Sequence, residues 1–299
     1  MIVFKAHTKP VYAVLFSPDG SSLLTSGCDE KVCLWSLETV QQMNEWPGSK
    51  FWGPIAFSPD GRFVGRGGYG ISVWPIQSPN PVLSSRGFAE SVSFSPDGKV
   101  FAAHGDSQPL ARWELSTGNS LPAGWGGTRE STNGRQFPKG ALAYHPNGDL
   151  LASCFGVMGE GDFDSVIYLW DANTGELRSS LRSQYSNYLT AICFSPDGSL
   201  LAGIYGPTLR IWDVENATEI ATRQVGLKHF KGLAFTPDGR QLVTVNNDAT
   251  VRLYDTTSWS ETGGFDWKIG KMGAVAVAPD GLRMAAGGST GKVVIWDVD

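Results

Sequence analysis

Apolar and polar positions along this chain fall into short blocks instead of long stripes. Val11 to Phe16 is a run of strand-forming residues, Ser17-Pro18-Asp19-Gly20 interrupts it, and a second strand-like run, Leu23 to Ser26, follows. Pro presets φ at the first central position of a turn, and Asp-Gly tolerates the conformations that follow, so this block predicts a β-hairpin. The block recurs as Phe57 to Gly61, Phe94 to Gly98, Tyr144-His145-Pro146-Asn147-Gly148, Phe194 to Gly198, Phe235-Thr236-Pro237-Asp238-Gly239 and Val277-Ala278-Pro279-Asp280-Gly281. Its prolines stand at positions 18, 59, 96, 146, 196, 237 and 279, so the copies are spaced by 41, 37, 50, 50, 41 and 42 residues.

A second pattern follows each turn. An alternating run ends in an aliphatic residue and an aromatic: Leu34-Trp35, Val73-Trp74, Leu169-Trp170, Ile211-Trp212, Leu253-Tyr254 and Ile295-Trp296, with Arg112-Trp113 in the third copy. Asp171, Asp213, Asp255 and Asp297 come next in four of them, before a polar turn and a weaker fourth strand. The last unit stops after its third strand, while Ile2-Val3-Phe4-Lys5 precedes the first unit and has strand character. Pairing the two ends would close a ring and hide two open edges, with no spare module attached.

Seven co-registered copies, a period near 40 and the Trp-Asp pairs of three units resemble the WD-repeat family across nearly the whole chain. The near-uniform Ser-Pro-Asp-Gly turns are similar to those of its bacterial members. That resemblance implies an all-β chain: a single seven-bladed β-propeller over residues 1–299, its blades four-stranded and antiparallel, closed by the N-terminal strand. It also implies a buried hydrogen-bonded network of His, Ser or Thr, Asp and Trp inside a blade. His7, Thr25 or Ser26, Asp29 and Trp35 fit it in the first unit, with Ser26 assigned as the hydroxyl. Asp164 and Asp248 keep the Asp position, six before Trp170 and Tyr254, whereas Gly68, Ser107, Gly206 and Thr290 occupy it elsewhere.

Composition narrows the function classes. A net charge of −5, without any Lys or Arg run, disfavours a phosphate backbone as partner. No apolar stretch is long enough for a transmembrane helix, and the first residues lack the pattern of a secretory signal. Cys28, Cys33, Cys154 and Cys193 form no Cys-x-x-Cys pair and read as small buried hydrophobes, which points to the cytoplasm.

Catalytic chemistry finds little to stand on. The four histidines have no metal-ligand spacing, and no nucleophile elbow, phosphate loop or dinucleotide fingerprint occurs. Gly159-Glu160-Gly161-Asp162-Phe163-Asp164 has oxygen ligands on a flexible loop but matches no standard calcium spacing, so no metal and no cofactor are expected. Gly65-Arg66-Gly67-Gly68 reads as a strand end and turn, with Arg66 either facing the channel or solvated.

Function in repeat scaffolds sits where the repeat is broken. The fourth unit carries about seven extra residues around Gly156 to Asp164, and the passage from unit three to unit four carries about eight more within Leu121 to Gly140. WD-repeat architecture would place both on the top face near blade four. They hold Trp125, Arg129, Arg135 and Phe163, which either meet a partner or pack the loops onto the ring. Tyr12, Trp52, Tyr188, Lys231 and Met272, just before inner strands, resemble the peptide-binding rim of family members, although burial at a blade junction is open for each. The reading is a non-enzymatic, monomeric scaffold that binds a protein or peptide and neither nucleic acid nor membrane. A carbohydrate-binding propeller using Trp52, Trp125 or Tyr188 is the alternative, and a hydrolase or lyase with ionisable groups clustered in the channel is the second.

Overall fold

The computed structural model describes residues 1–49, 53–105, 108–122, 136–137, 141–158, 163–182, 189–226 and 228–298. Every regular element among them is a β-strand. Each hairpin predicted at a turn proline forms, and each is the first half of an antiparallel sheet. The first blade runs from inner to outer strand as Val11–Phe16, Ser22–Gly27, Lys31–Ser36 and Gln42–Pro47. Blades two, five and six repeat this order with four strands each. Blade three has Ser91–Phe94, Val100–Gly105 and Gln108–Glu114, and a Trp113–Ser120 bridge stands where its outer strand belongs.

Blade seven is completed from the other end of the chain. Ile2–Lys5 pairs antiparallel with Lys292–Asp297, Ile2 opposite Ile295 and Lys5 opposite Lys292. The seven-bladed ring is therefore closed by its N-terminal strand, and the edges most prone to foreign pairing are used up.

The turns after the inner strands share one face, the bottom, and their chemistry explains why the same four residues recur. In the first, Ser17 Oγ donates to Asp19 Oδ1 at 2.6 Å, Asp19 Oδ1 accepts from the Ser21 amide at 3.0 Å, and the Ser22 amide donates back to Ser17 Oγ at 2.9 Å. The closing glycine has a left-handed φ, +69° at Gly61, where a side chain would be strained. A Cβ there would lie 3.7 Å from Cδ of Pro18 in the preceding blade, so the turns also pack on one another around the ring. In the fourth turn His145 stands in for Ser: Nδ1 meets Asn147 Oδ1 at 2.5 Å and Nε2 meets the Gly198 carbonyl of blade five at 3.2 Å.

The core lies between blades. Leu24, Val32, Leu34 and Trp46 of the first blade pack on Ile55, Val64 and Trp74 of the second. Across the closure, Val14, Phe16, Leu23 and Trp35 pack on Ala276, Ala285, Val293 and Ile295, with Phe4 of the closing strand against them. Burying a large side chain of this kind contributes roughly 2–3 kcal/mol, repeated at every junction. The aspartates that follow the third-strand aromatic cap the next turn: Asp171 Oδ1 accepts from the Asn173 and Thr174 amides at 2.9 and 2.8 Å, and Asp255 Oδ1 from Ser258 at 2.7 Å.

Candidate functional site

The turns joining second to third strands and the passages between blades share the opposite face, the top. Both departures from the repeat reach it at blade four. The extra residues around Gly156 to Asp164, expected as a loop, instead lengthen a hairpin: its arms are Leu150–Met158 and Phe163–Asp171, nine residues each against six in the first blade. Three additional residues per arm at about 3.3 Å each raise it roughly 10 Å above the neighbouring blades. The second insertion comes to the same place. Gln136–Phe137, from the passage between blades three and four, pairs antiparallel with the hairpin, Gln136 opposite Val157 and Phe137 opposite Gly156. The two insertions are thus hydrogen-bonded into one raised ledge.

Of the partner-binding candidates, Trp52, Trp125, Arg129, Arg135 and Tyr188 lie outside the described residues. Phe163 heads the second arm of the hairpin, opposite Met158, and Asp164 stands opposite Val157; only their backbones are described. Lys231, in the inner strand of blade six, is exposed. Tyr12 is not an open rim residue: it is partly buried, and burial first, then the charge of Glu90, pushes its phenol up to about 12. Met272 is buried between blades six and seven, at 2% exposure.

The structural network of the first blade is continuous. Trp35 Nε1–H donates to Thr25 Oγ1 at 2.9 Å, Thr25 Oγ1 meets His7 Nε2 at 2.8 Å, and His7 Nδ1 meets Asp29 Oδ1 at 2.8 Å. Asp29 also accepts from the Thr8 amide at 2.8 Å. Burial pulls the His7 pKa below its ordinary value, against the pull of Asp29, so the imidazole is neutral and every proton in the relay has an acceptor. The hydroxyl is Thr25 and not Ser26, whose Oγ donates to the Gly53 carbonyl of the next blade at 2.6 Å. Side chains alternate along a strand, so only the residue two beyond Leu23, which pairs with Trp35, reaches that tryptophan. In blade four the same register gives Ser153, and Trp170 Nε1 donates to it at 2.8 Å. Asp248 has a different role: it accepts from Thr250 Oγ1 at 2.6 Å and lies 3.7 Å from Arg252, capping its own turn.

The central channel is bounded by the inner strands. Its bottom half, about 450 Å³, is lined by inner-strand residues such as Leu15, Leu142, Ile192, Leu233 and Val275. No carboxylate, imidazole, ammonium or guanidinium of the described residues lines that half, although the Tyr144 phenol and the Cys193 thiol do. Nor do the described residues hold any group of three His, Cys, Asp or Glu side chains able to bind a metal.

Closed ring, four-stranded blades and Trp-anchored third strands define a seven-bladed β-propeller of the repeat type. Four stretches, residues 1–36, 138–171, 175–213 and 227–255, match the family model described as WD domain, G-beta repeat, and the ring is a seven-bladed propeller with WD repeats. It is 23% identical over 319 residues to guanine nucleotide-binding protein subunit beta-1 of Nicotiana tabacum, across 98% of this chain and 82% of that one. It is 24% identical over 309 residues to the Periodic tryptophan protein 2 homolog of Dictyostelium discoideum, covering 92% of this chain but 32% of the relative, about a third of its length. A Protein LST8 homolog of Drosophila melanogaster is 27% identical over 146 residues, 48% of this chain and 46% of that one.

Proposed function

We propose that this protein is a non-enzymatic interaction scaffold that docks a protein or peptide on its top face, centred on the raised ledge of blade four. The observation that carries this reading is the pairing of Gln136–Phe137 with the lengthened hairpin. Two independent insertions spend their residues on one platform, which a ring that only needed to close would not require. Several relatives are named as subunits of a guanine nucleotide-binding protein, which fits a ring that works by holding other chains. Trp and Arg are the residues that most often carry interface energy, and Trp125, Arg129, Arg135 and Phe163 all belong to these insertions. The bottom half of the channel, where no acid, base or cation of the described residues converges, lends no support to the hydrolase or lyase reading.

The test is affinity capture from host lysate with the wild-type chain and a Trp125→Ala/Phe163→Ala variant, both checked for folding by circular dichroism. A partner held by the wild type and lost by the variant supports the reading. Equal capture by both would move the site off blade four. Binding only to a glycan array, with no protein captured, would favour the carbohydrate alternative.

A further inference from the structure

The register that gives Thr25 in blade one and Ser153 in blade four gives Arg66 in blade two. Val64 pairs with Trp74 as Leu23 pairs with Trp35, so Arg66 occupies the hydroxyl position of the network. The position of Asp29, six before the tryptophan, is Gly68 in this blade. An arginine has therefore replaced the hydroxyl, and the carboxylate that could have neutralised it is missing.

The guanidinium neither faces the channel nor extends into solvent. It lies over the Trp74 ring, 5.7 Å from the centroid, and the residue is only 9% exposed. Among the described residues its hydrogen bonds are two long ones from Nη1, to the Gly67 carbonyl at 3.5 Å and the Tyr69 carbonyl at 3.3 Å. Nε is buried without an acceptor, and no carboxylate of the described residues forms an ion pair with it. Burial alone pulls its pKa below the usual arginine value, with no opposing negative charge. A buried cation without a carboxylate is costly, and real sequences break local rules of this kind at functional sites.

The turn beside the guanidinium is built from glycines. Gly68 and Gly70 both adopt left-handed φ, +86° and +84°, and a Cβ on Gly70 would stand 3.6 Å from Arg66 Nη2. Opposite Gly70 the outer strand bulges, because Tyr69 pairs with Phe88 and Ile71 with Ser85, and this places the exposed Arg86 beside the same turn. Tyr69, 62% exposed, rests on Phe88 with ring centroids 4.9 Å apart. Arg66, Arg86 and the Tyr69–Phe88 ring pair thus mark a cationic notch at the top of blade two, in a chain of net charge −5.

We propose that this notch is a second recognition site, in which Arg66 takes the carboxylate of an acidic side chain from a partner polypeptide while Tyr69 and Phe88 pack against the residue beside it. A guanidinium offers a planar pair of donors matched to a carboxylate, and one buried charge balances one carboxylate. The site does not depend on the location of the blade-four ledge, and its test uses no blade-four variant.

The full chain is followed by ¹H–¹⁵N spectroscopy at the Arg66 Nε–H and the Gly70 amide while Ac-Glu-Phe-amide, Ac-Gln-Phe-amide or inorganic phosphate is added. The expected result is a saturable shift with the Glu dipeptide, at least about tenfold weaker with the Gln dipeptide, which is about 1.4 kcal/mol. In Arg66→Met the Gly70 shift disappears while the melting temperature stays at or above that of the wild type. Arg66→Lys, which keeps the charge and loses the fork, binds more weakly than the wild type. No saturable shift, equal shifts with Glu and Gln, saturation by phosphate alone, or clear destabilisation of Arg66→Met would each overturn the assignment.

Discussion

Residues one position apart do unrelated work in this ring. Thr25 links Trp35 to His7 within its blade, whereas Ser26 ties its blade to Gly53 of the next. Replacing Thr25 by Val keeps the shape and strands the Trp35 N–H and His7 Nε2, so thermal or urea unfolding should show a loss of about 2 kcal/mol with partner capture unchanged. Histidine burial sets the acid limit. His104, fully buried at the end of the second strand of blade three, is pushed down to about 4 by desolvation, and His7 shifts in the same direction. Both are lowered on folding, so their contribution is complete above the unfolded value near 6.5 and is lost as the pH falls toward 4. Melting curves across that interval should fall, by up to about 3 kcal/mol for His104, and His104→Leu should make the slope shallower.

Between residue and ring stands the blade, and here the repeat was legible from its turns. Seven Pro-centred blocks placed every inner hairpin, because the Ser-Pro-Asp-Gly geometry is local and needs no tertiary help. The network hydroxyl in blade one and the place of Arg66 were not read, although the signal was present: both lie two residues beyond the partner of the third-strand aromatic. The spacing of the repeat locates the blade-four insertion, but its glycines and acids suggest a loop where the structure extends the hairpin. Phe155-Gly156-Val157-Met158 is strand-forming sequence, and an antiparallel ladder already in register extends at little cost once both arms allow it. Replacing residues 156–165 by a two-residue turn should leave a folded ring, with the melting temperature within a few degrees of the wild type, and abolish capture of the partner. A collapse of the fold in that variant would make the hairpin a structural brace.

At the scale of the whole molecule, the closing strand of four residues adds its pairing to the core that joins blades one and seven. Ile2–Lys5 supplies the outer strand of blade seven, and Phe4 packs against Trp35 of blade one, centroids 5.0 Å apart and rings tilted by 59°. A chain beginning at Ala6 should lose that strand and that contact together, exposing the edge of Lys292–Asp297. It should melt at a lower temperature and aggregate in light scattering, and a synthetic peptide of residues 1–5 should partly restore it. On the reading proposed here, the closed ring is a rigid mount for two sites on its top face, one raised at blade four and one recessed at blade two. Hydrogen–deuterium exchange of the wild-type chain with and without its captured partner tests this most directly. The account predicts protection in peptides spanning 136–137 and 156–165; protection confined to the bottom turns, or to blades away from the fourth, would contradict it.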